Sequence, residues 1–173
     1  MRLFIAVNFS AGTRARLTAL RDELRSRSER GSFSAPENLH LTLAFLGECD
    51  ARQTAAAKQI LNATHFEPFD LKIGGVGRFK QQKADILYTM VEKTPQLFNL
   101  QRSLYDNLNV RGFSLDSRKF KPHITLGREV VTGAAPWRIE PFGETINSID
   151  LMKSERVGGK LVYTAIYSKN CKI

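Results

Sequence analysis

His40-Leu41-Thr42-Leu43 and His123-Ile124-Thr125-Leu126 are the two stretches on which the reading of this chain turns. Each is histidine, apolar residue, threonine, apolar residue, set inside an apolar run. The chain has three histidines, and two of them carry this tetrapeptide. Side chains alternate between the faces of a strand. In the first run His40, Thr42 and Ala44 therefore share one face, and Leu41, Leu43 and Phe45 share the other. The second run, 123–131, repeats the pattern, so two half-buried strands each present a histidine and a threonine side by side.

Working outward, 3–9 is a near-continuous apolar run and reads as a strand. Ser10 can cap the helix after it, in which Leu17, Leu20 and Leu24 form one stripe. Residues 26–38 lack periodicity and read as a loop around Gly31 and Pro36. Gly47 ends the first motif strand. Asp50 with Gln53 has the form of a capping box, opening a helix that runs to about Asn62. Residues 69–79 and 84–92 pair as a hairpin, the first strand bent by Gly74, Gly75 and Gly77. Thr94-Pro95 opens a helix with Leu97, Leu100, Leu104 and Leu108 on its buried side. The basic approach Arg118-Lys119-Phe120-Lys121 and Pro122 lead into His123. Residues 134–143 read as a loop. The strands 145–154 and 160–168, joined through Gly158-Gly159, read as a closing hairpin. Helix followed by motif strand occurs twice, which implies an internal duplication. The expected fold is α+β: one bilobal domain over 1–173, with two mostly antiparallel sheets lining a central cleft and helices packed outside.

Composition narrows the function. At 173 residues and 42% hydrophobic content the chain can bury a core. No stretch reaches the ~20 apolar residues of a membrane span. The short run after Met1-Arg2 lacks the form of a signal peptide. Cys49 and Cys171 have no local spacing, so a reduced, cytoplasmic protein is expected. Lys and Arg number 26 against 17 acidic residues, a net charge of +9. That favours an anionic partner, with nucleic acid ahead of membrane.

Histidine populates both protonation states near neutral pH, with an ordinary pKa of ~6.5. Two histidines facing each other can share acid and base work. In-line displacement at phosphorus needs this, since the attacking water and the leaving oxygen lie on opposite sides. Thr42 and Thr125 can each donate to a nonbridging oxygen. Arg128 can add a bidentate contact. Strict alternation puts Arg128 on the face opposite His123, so it reaches a phosphate only if Gly127 bends the strand. Phe45, at the matching place after His40, reads first as core and second as a base-stacking ring. His65, at a helix end, reads as a surface or capping residue. Two histidines without a third ligand do not make a catalytic zinc site, and no partner for a serine or cysteine nucleophile is visible.

The run Pro36-Glu37-Asn38-Leu39-His40-Leu41-Thr42-Leu43-Ala44-Phe45-Leu46-Gly47-Glu48 and the run Phe120-Lys121-Pro122-His123-Ile124-Thr125-Leu126-Gly127-Arg128 resemble the two-histidine (2H) phosphoesterase superfamily, in its bacterial LigT-type branch. Arg2-Leu3-Phe4-Ile5-Ala6-Val7 is similar too. The resemblance implies a bilobal α+β fold and opening of RNA 2′,3′-cyclic phosphates to 2′-phosphates, without metal or cofactor. It also implies a reversible 2′-5′ RNA ligase reaction. It assigns His40 as acid on the leaving 3′ oxygen, His123 as base for water, and Thr42, Thr125 and Arg128 as phosphate ligands. No arginine stands after the first motif as Arg128 stands after the second. The expected partners are RNA or nucleotides with 2′,3′-cyclic phosphate ends, met by a monomer with no membrane association. The alternatives are a noncatalytic RNA- or nucleotide-binding protein using the same cleft, or a 2H enzyme acting on 2′-5′ oligoadenylates or ADP-ribose cyclic phosphate.

Overall fold

The first motif strand, β3 (Leu41–Glu48), pairs with β1 (Arg2–Val7), and β8 (Ser148–Val157) and β9 (Lys160–Asn170) follow it outward. The second, β6 (His123–Val131), pairs with β5 (Asp85–Val91), followed by β4 (Phe69–Phe79) and β7 (Trp137–Ile146). This computed structural model describes residues 1–171. The two four-strand rows meet at one point, where Leu41 lies opposite Ile124. The nine strands thus form one antiparallel sheet whose halves separate on either side of a single pair. Each half begins with its motif strand, so the rows are related by an approximate twofold axis through that pair.

Three helices, α1 (Ala11–Ser26), α2 (Ala51–Ala63) and α3 (Pro95–Val110), cover one face of this sheet. Each starts where a side chain satisfies free amide groups of the first turn. Ser10 caps α1, Thr94 caps α3 with Pro95 in the first position, and Asp50 with Gln53 forms a complete capping box on α2. Their leucine stripes join Leu3, Ile5, Val7, Leu41, Ile73, Leu87, Ile124 and Leu126 in one apolar cluster. On the other face, among the described residues, the buried apolar cluster is small: Phe4, Ala6 and Met152, with Tyr163 against it. That face is free to form a site.

Leu41 is fully buried at the strand pair that joins the two halves of the sheet among the described residues. Leu41→Ala is expected to cost about 2–5 kcal/mol of stability, read from urea unfolding. An unchanged midpoint would show that the junction contributes nothing to holding the halves together.

Two stretches differ from expectation. Residues 26–38 are not simply a loop: β2 (Arg30–Phe33) pairs with β6, and Pro36–Asn38 forms a 3-10 turn. Arg-Gly-Ser-Phe has no apolar alternation, and the strand is held by the ladder of its neighbour. Residues 134–143 are likewise not all loop, because β7 begins at Trp137. Ile73 lies opposite Phe142 while Gly75 lies opposite Arg138, so Ile139 to Pro141 bulge out and hide the strand pattern. The strand expected from 145 loses its start to β7, and β8 begins at Ser148. Gly158 and Gly159 form the two-residue β8–β9 turn, both at positive φ (57° and 79°), as a type I′ hairpin requires.

Candidate active site

His40 stands one residue before β3, and His123 is the first residue of β6. One step either side of the Leu41–Ile124 pair, antiparallel register sets His40 against Thr125 and Thr42 against His123. The two histidines therefore occupy one diagonal and the two threonines the other, on the face away from the helices.

Both rings are held alike. His40 Nδ1 donates to the Asn38 carbonyl at 2.6 Å, and His123 Nδ1 donates to the Lys121 carbonyl at 2.6 Å. A carbonyl only accepts, so the proton of each neutral ring is on Nδ1 and the lone pair is on Nε2. Local sequence presents these carbonyls. The Pro36–Asn38 turn precedes His40, and the Asn38 amide donates to the Leu161 carbonyl at 2.9 Å, tying the turn to β9. Pro122 restricts Lys121 to extended backbone. The two Nε2 atoms differ. That of His40 lies 3.0 Å from Thr42 Oγ1, whereas that of His123 has no hydrogen-bond partner among the described residues.

Aromatic rings flank each imidazole. Phe4 lies 4.8 Å from His40, and Tyr163 meets it edge-on at 5.1 Å. Phe79 meets His123 edge-on at 5.2 Å, with Tyr88 at 5.6 Å. A Cβ on Gly77 would come within 2.8 Å of the Tyr88 ring, so that glycine makes room for it. These walls withdraw both imidazoles from water, which lowers both pKa values below the ordinary 6.5. The backbone carbonyls oppose the shift. Arg128 adds to it at both rings, and His123 adds to it at His40.

Arg128 shares the face of His123 and Thr125, not the opposite one. Tyr88 lies opposite Thr125 but Leu87 lies opposite Gly127, so Leu126 is an extra residue and alternation slips by one. Gly127 is needed there, because a Cβ would fall 2.9 Å from Val130 Cγ2 and 3.1 Å from Phe33 Cδ1. The bend that sequence alone left open is this bulge.

The same slip occurs in β3. Thr42 lies opposite Ala6 and Ala44 opposite Ile5, leaving Leu43 extra. Phe45 is therefore not core. It is 46% exposed beside Phe4 on the cleft face, with the Arg2 guanidinium 5.0 Å over its ring. The matching spacing of Phe45 and Arg128 after their histidines was the sequence signal for this. No such signal marks Phe4, Phe79, Tyr88 and Tyr163, which come from four separate strands.

His65 is exposed and lies just past the end of α2. Of the basic approach to His123, Arg118 is paired with Asp116, while Lys121 Nζ lies 5.9 Å over Phe79 beside His123. Among the described residues no three His, Cys, Asp or Glu side chains gather to hold a metal ion.

The profile of the LigT-like phosphoesterases matches residues 7–88, which include the first motif. An RNA 2′,3′-cyclic phosphodiesterase of Archaeoglobus fulgidus is 34% identical over 151 residues, 83% of this chain and 85% of that protein. One of Escherichia coli is 30% identical over 129 residues, 74% of this chain and 72% of that protein. The crystal structure of E. coli LigT with 3′-AMP superposes with a TM-score of 0.86 at 25% identity, covering 99% of this chain and 98% of that one.

Proposed function

This chain belongs to the LigT-like phosphoesterase family, and on that footing we propose that its cleft hydrolyses RNA 2′,3′-cyclic phosphate ends to 2′-phosphates. The observation that carries the reading is the pair of imidazoles, each locked through Nδ1 to a backbone carbonyl, on one sheet face with Arg128.

His123 acts as base: its unpartnered Nε2 takes a proton from water as the water oxygen bonds to phosphorus. His40 acts as acid: its imidazolium Nε2–H gives a proton to O3′ as the P–O3′ bond breaks. The phosphate stays on O2′. Thr42 and Thr125 donate to nonbridging oxygens, and the Arg128 guanidinium meets the charge that builds on them. With a 5′-hydroxyl in place of water, the same displacement forms a 2′-5′ bond: the 5′ oxygen bonds to phosphorus, giving its proton to His123, as the P–O3′ bond breaks and O3′ takes a proton from His40. The nucleobase rests on Phe45, whose exposed ring stands beside the His40 side of the cleft.

The test is incubation with adenosine 2′,3′-cyclic phosphate in excess EDTA, with product read by phosphorus NMR. Adenosine 2′-phosphate is expected as product, at a rate EDTA leaves unchanged. A 3′-phosphate product refutes the proposed polarity, and loss of activity in EDTA refutes metal independence. Binding without turnover leaves a noncatalytic nucleotide-binding protein. Turnover of only 2′-5′ oligoadenylates or ADP-ribose cyclic phosphate moves the assignment within the superfamily.

The pH profile follows from the shifts. The base works once deprotonated, so activity rises with pH through its pKa. The acid works while protonated, so activity falls through its pKa. Both pKa values lie below 6.5, and the bell in kcat/KM is expected to centre below that pH. A bound phosphate anion favours both imidazolium forms, so the kcat profile moves to higher pH. A flat profile from about pH 5 to 9 excludes titrating imidazoles.

We further place the protein in the cytoplasm, acting as a monomer. Two buried free thiols suit a reducing compartment, and one chain supplies every group named above. No helix among the described residues is long and apolar enough to cross a membrane. A dimer mass in sedimentation equilibrium overturns the monomer.

A further inference from the structure

Beyond Arg128, the face that carries His123 and Thr125 continues into a groove of about 790 Å³. It lies between β2 and the tip of the β4–β5 hairpin, and its walls include Arg30, Ser32, Gln81, Gln82, Lys83 and Glu129. Register puts the side chains of its β2 wall on the face of the cleft. Ser32 lies opposite Arg128 and Arg30 opposite Val131, so both side chains stand on Arg128's face. A second slip of β6 against β2, at Glu129 with φ 52°, keeps that phase. Gly31 and Ala84 also line it.

We infer that this groove holds the RNA strand 5′ of the cyclic end, with Arg30 and Lys83 meeting its backbone phosphates. The inference rests on the function proposed above, which accounts only for the terminal nucleotide. Neither cation makes a hydrogen bond or ion pair among the described residues, so both charges are free for a ligand. From Thr125 to Glu129 is four residues, about 13 Å at ~3.3 Å each. That spans about four nucleotides at the ~3.4 Å rise of stacked bases. Glu129 repels a phosphate set against it, which assigns the phosphates to the Arg30 and Lys83 sides. At the other end of the cleft, past Phe45, the Arg2 guanidinium is held over the Phe45 ring and Glu48 ends β3.

The test compares adenosine 2′,3′-cyclic phosphate with an RNA hexamer ending in the same group, in wild type and in the double variant Arg30→Glu, Lys83→Glu. The variant is expected to lose about tenfold in kcat/KM on the hexamer while staying within about twofold of wild type on the mononucleotide. Its log kcat/KM against log salt should flatten by about 1.4, two phosphate contacts at ~0.7 each on a single strand. An equal loss on both substrates, or no loss on the hexamer, overturns the groove. Binding of a fluorescent hexamer ending in a 2′-phosphate, followed by anisotropy, needs no turnover. Wild-type affinity in the variant refutes the groove even where the chemistry proves different, and failure of wild type on the mononucleotide counts against the catalytic reading alone.

Discussion

His123→Ala is expected to lower kcat on adenosine 2′,3′-cyclic phosphate by about 10³-fold, within the ~10²–10⁴ that a positioned acid or base contributes. His40→Ala should cost a similar factor. The double variant should be far less damaged than the product of the two, because acid and base act in one displacement. Both rings stand part-exposed on the cleft face, outside the main apolar cluster, so neither change should unfold the protein. A p-nitrophenyl phosphodiester separates the roles, since nitrophenolate departs without a proton. The His40→Ala deficit should then shrink to under about tenfold while the His123→Ala deficit persists. The reverse order would exchange acid and base, and full activity in either single variant would remove that histidine from the mechanism.

Arg128→Ala is expected to lower kcat by about 10²–10³-fold with a smaller change in KM, as for a donor that meets charge developing in the transition state. Arg128→Lys should recover only part, because an ammonium keeps the charge and loses the planar two-point fit. A second readout is independent of rate. The Arg128 charge depresses the pKa of both imidazoles, so its removal raises both. The kcat/KM bell of Arg128→Ala should therefore move to higher pH than that of wild type. A change confined to KM would reduce Arg128 to ground-state binding. An unmoved bell would show that its charge does not reach the rings.

Elements that depend on a few neighbouring residues are legible in the chain alone. Ser10, Asp50 with Gln53, and Thr94-Pro95 marked the three helix starts, because capping is a contact within one turn. The two-residue period of a strand was enough to place His40 beside Thr42 and His123 beside Thr125. Where Arg128 and Phe45 point is set by strand pairing. Each depends on a bulge, at Leu126 or Leu43, and a bulge is set by which residue of the neighbouring strand takes which hydrogen bond. Strand β2 escaped for a related reason, since its order comes from the edge of β6 and not from its own side chains. The aromatic walls that hold both imidazoles below their ordinary pKa came from four strands far apart in the chain. Periodicity belongs to one segment, whereas register and desolvation belong to the pairing of segments, and those exist only once the sheet has closed around them.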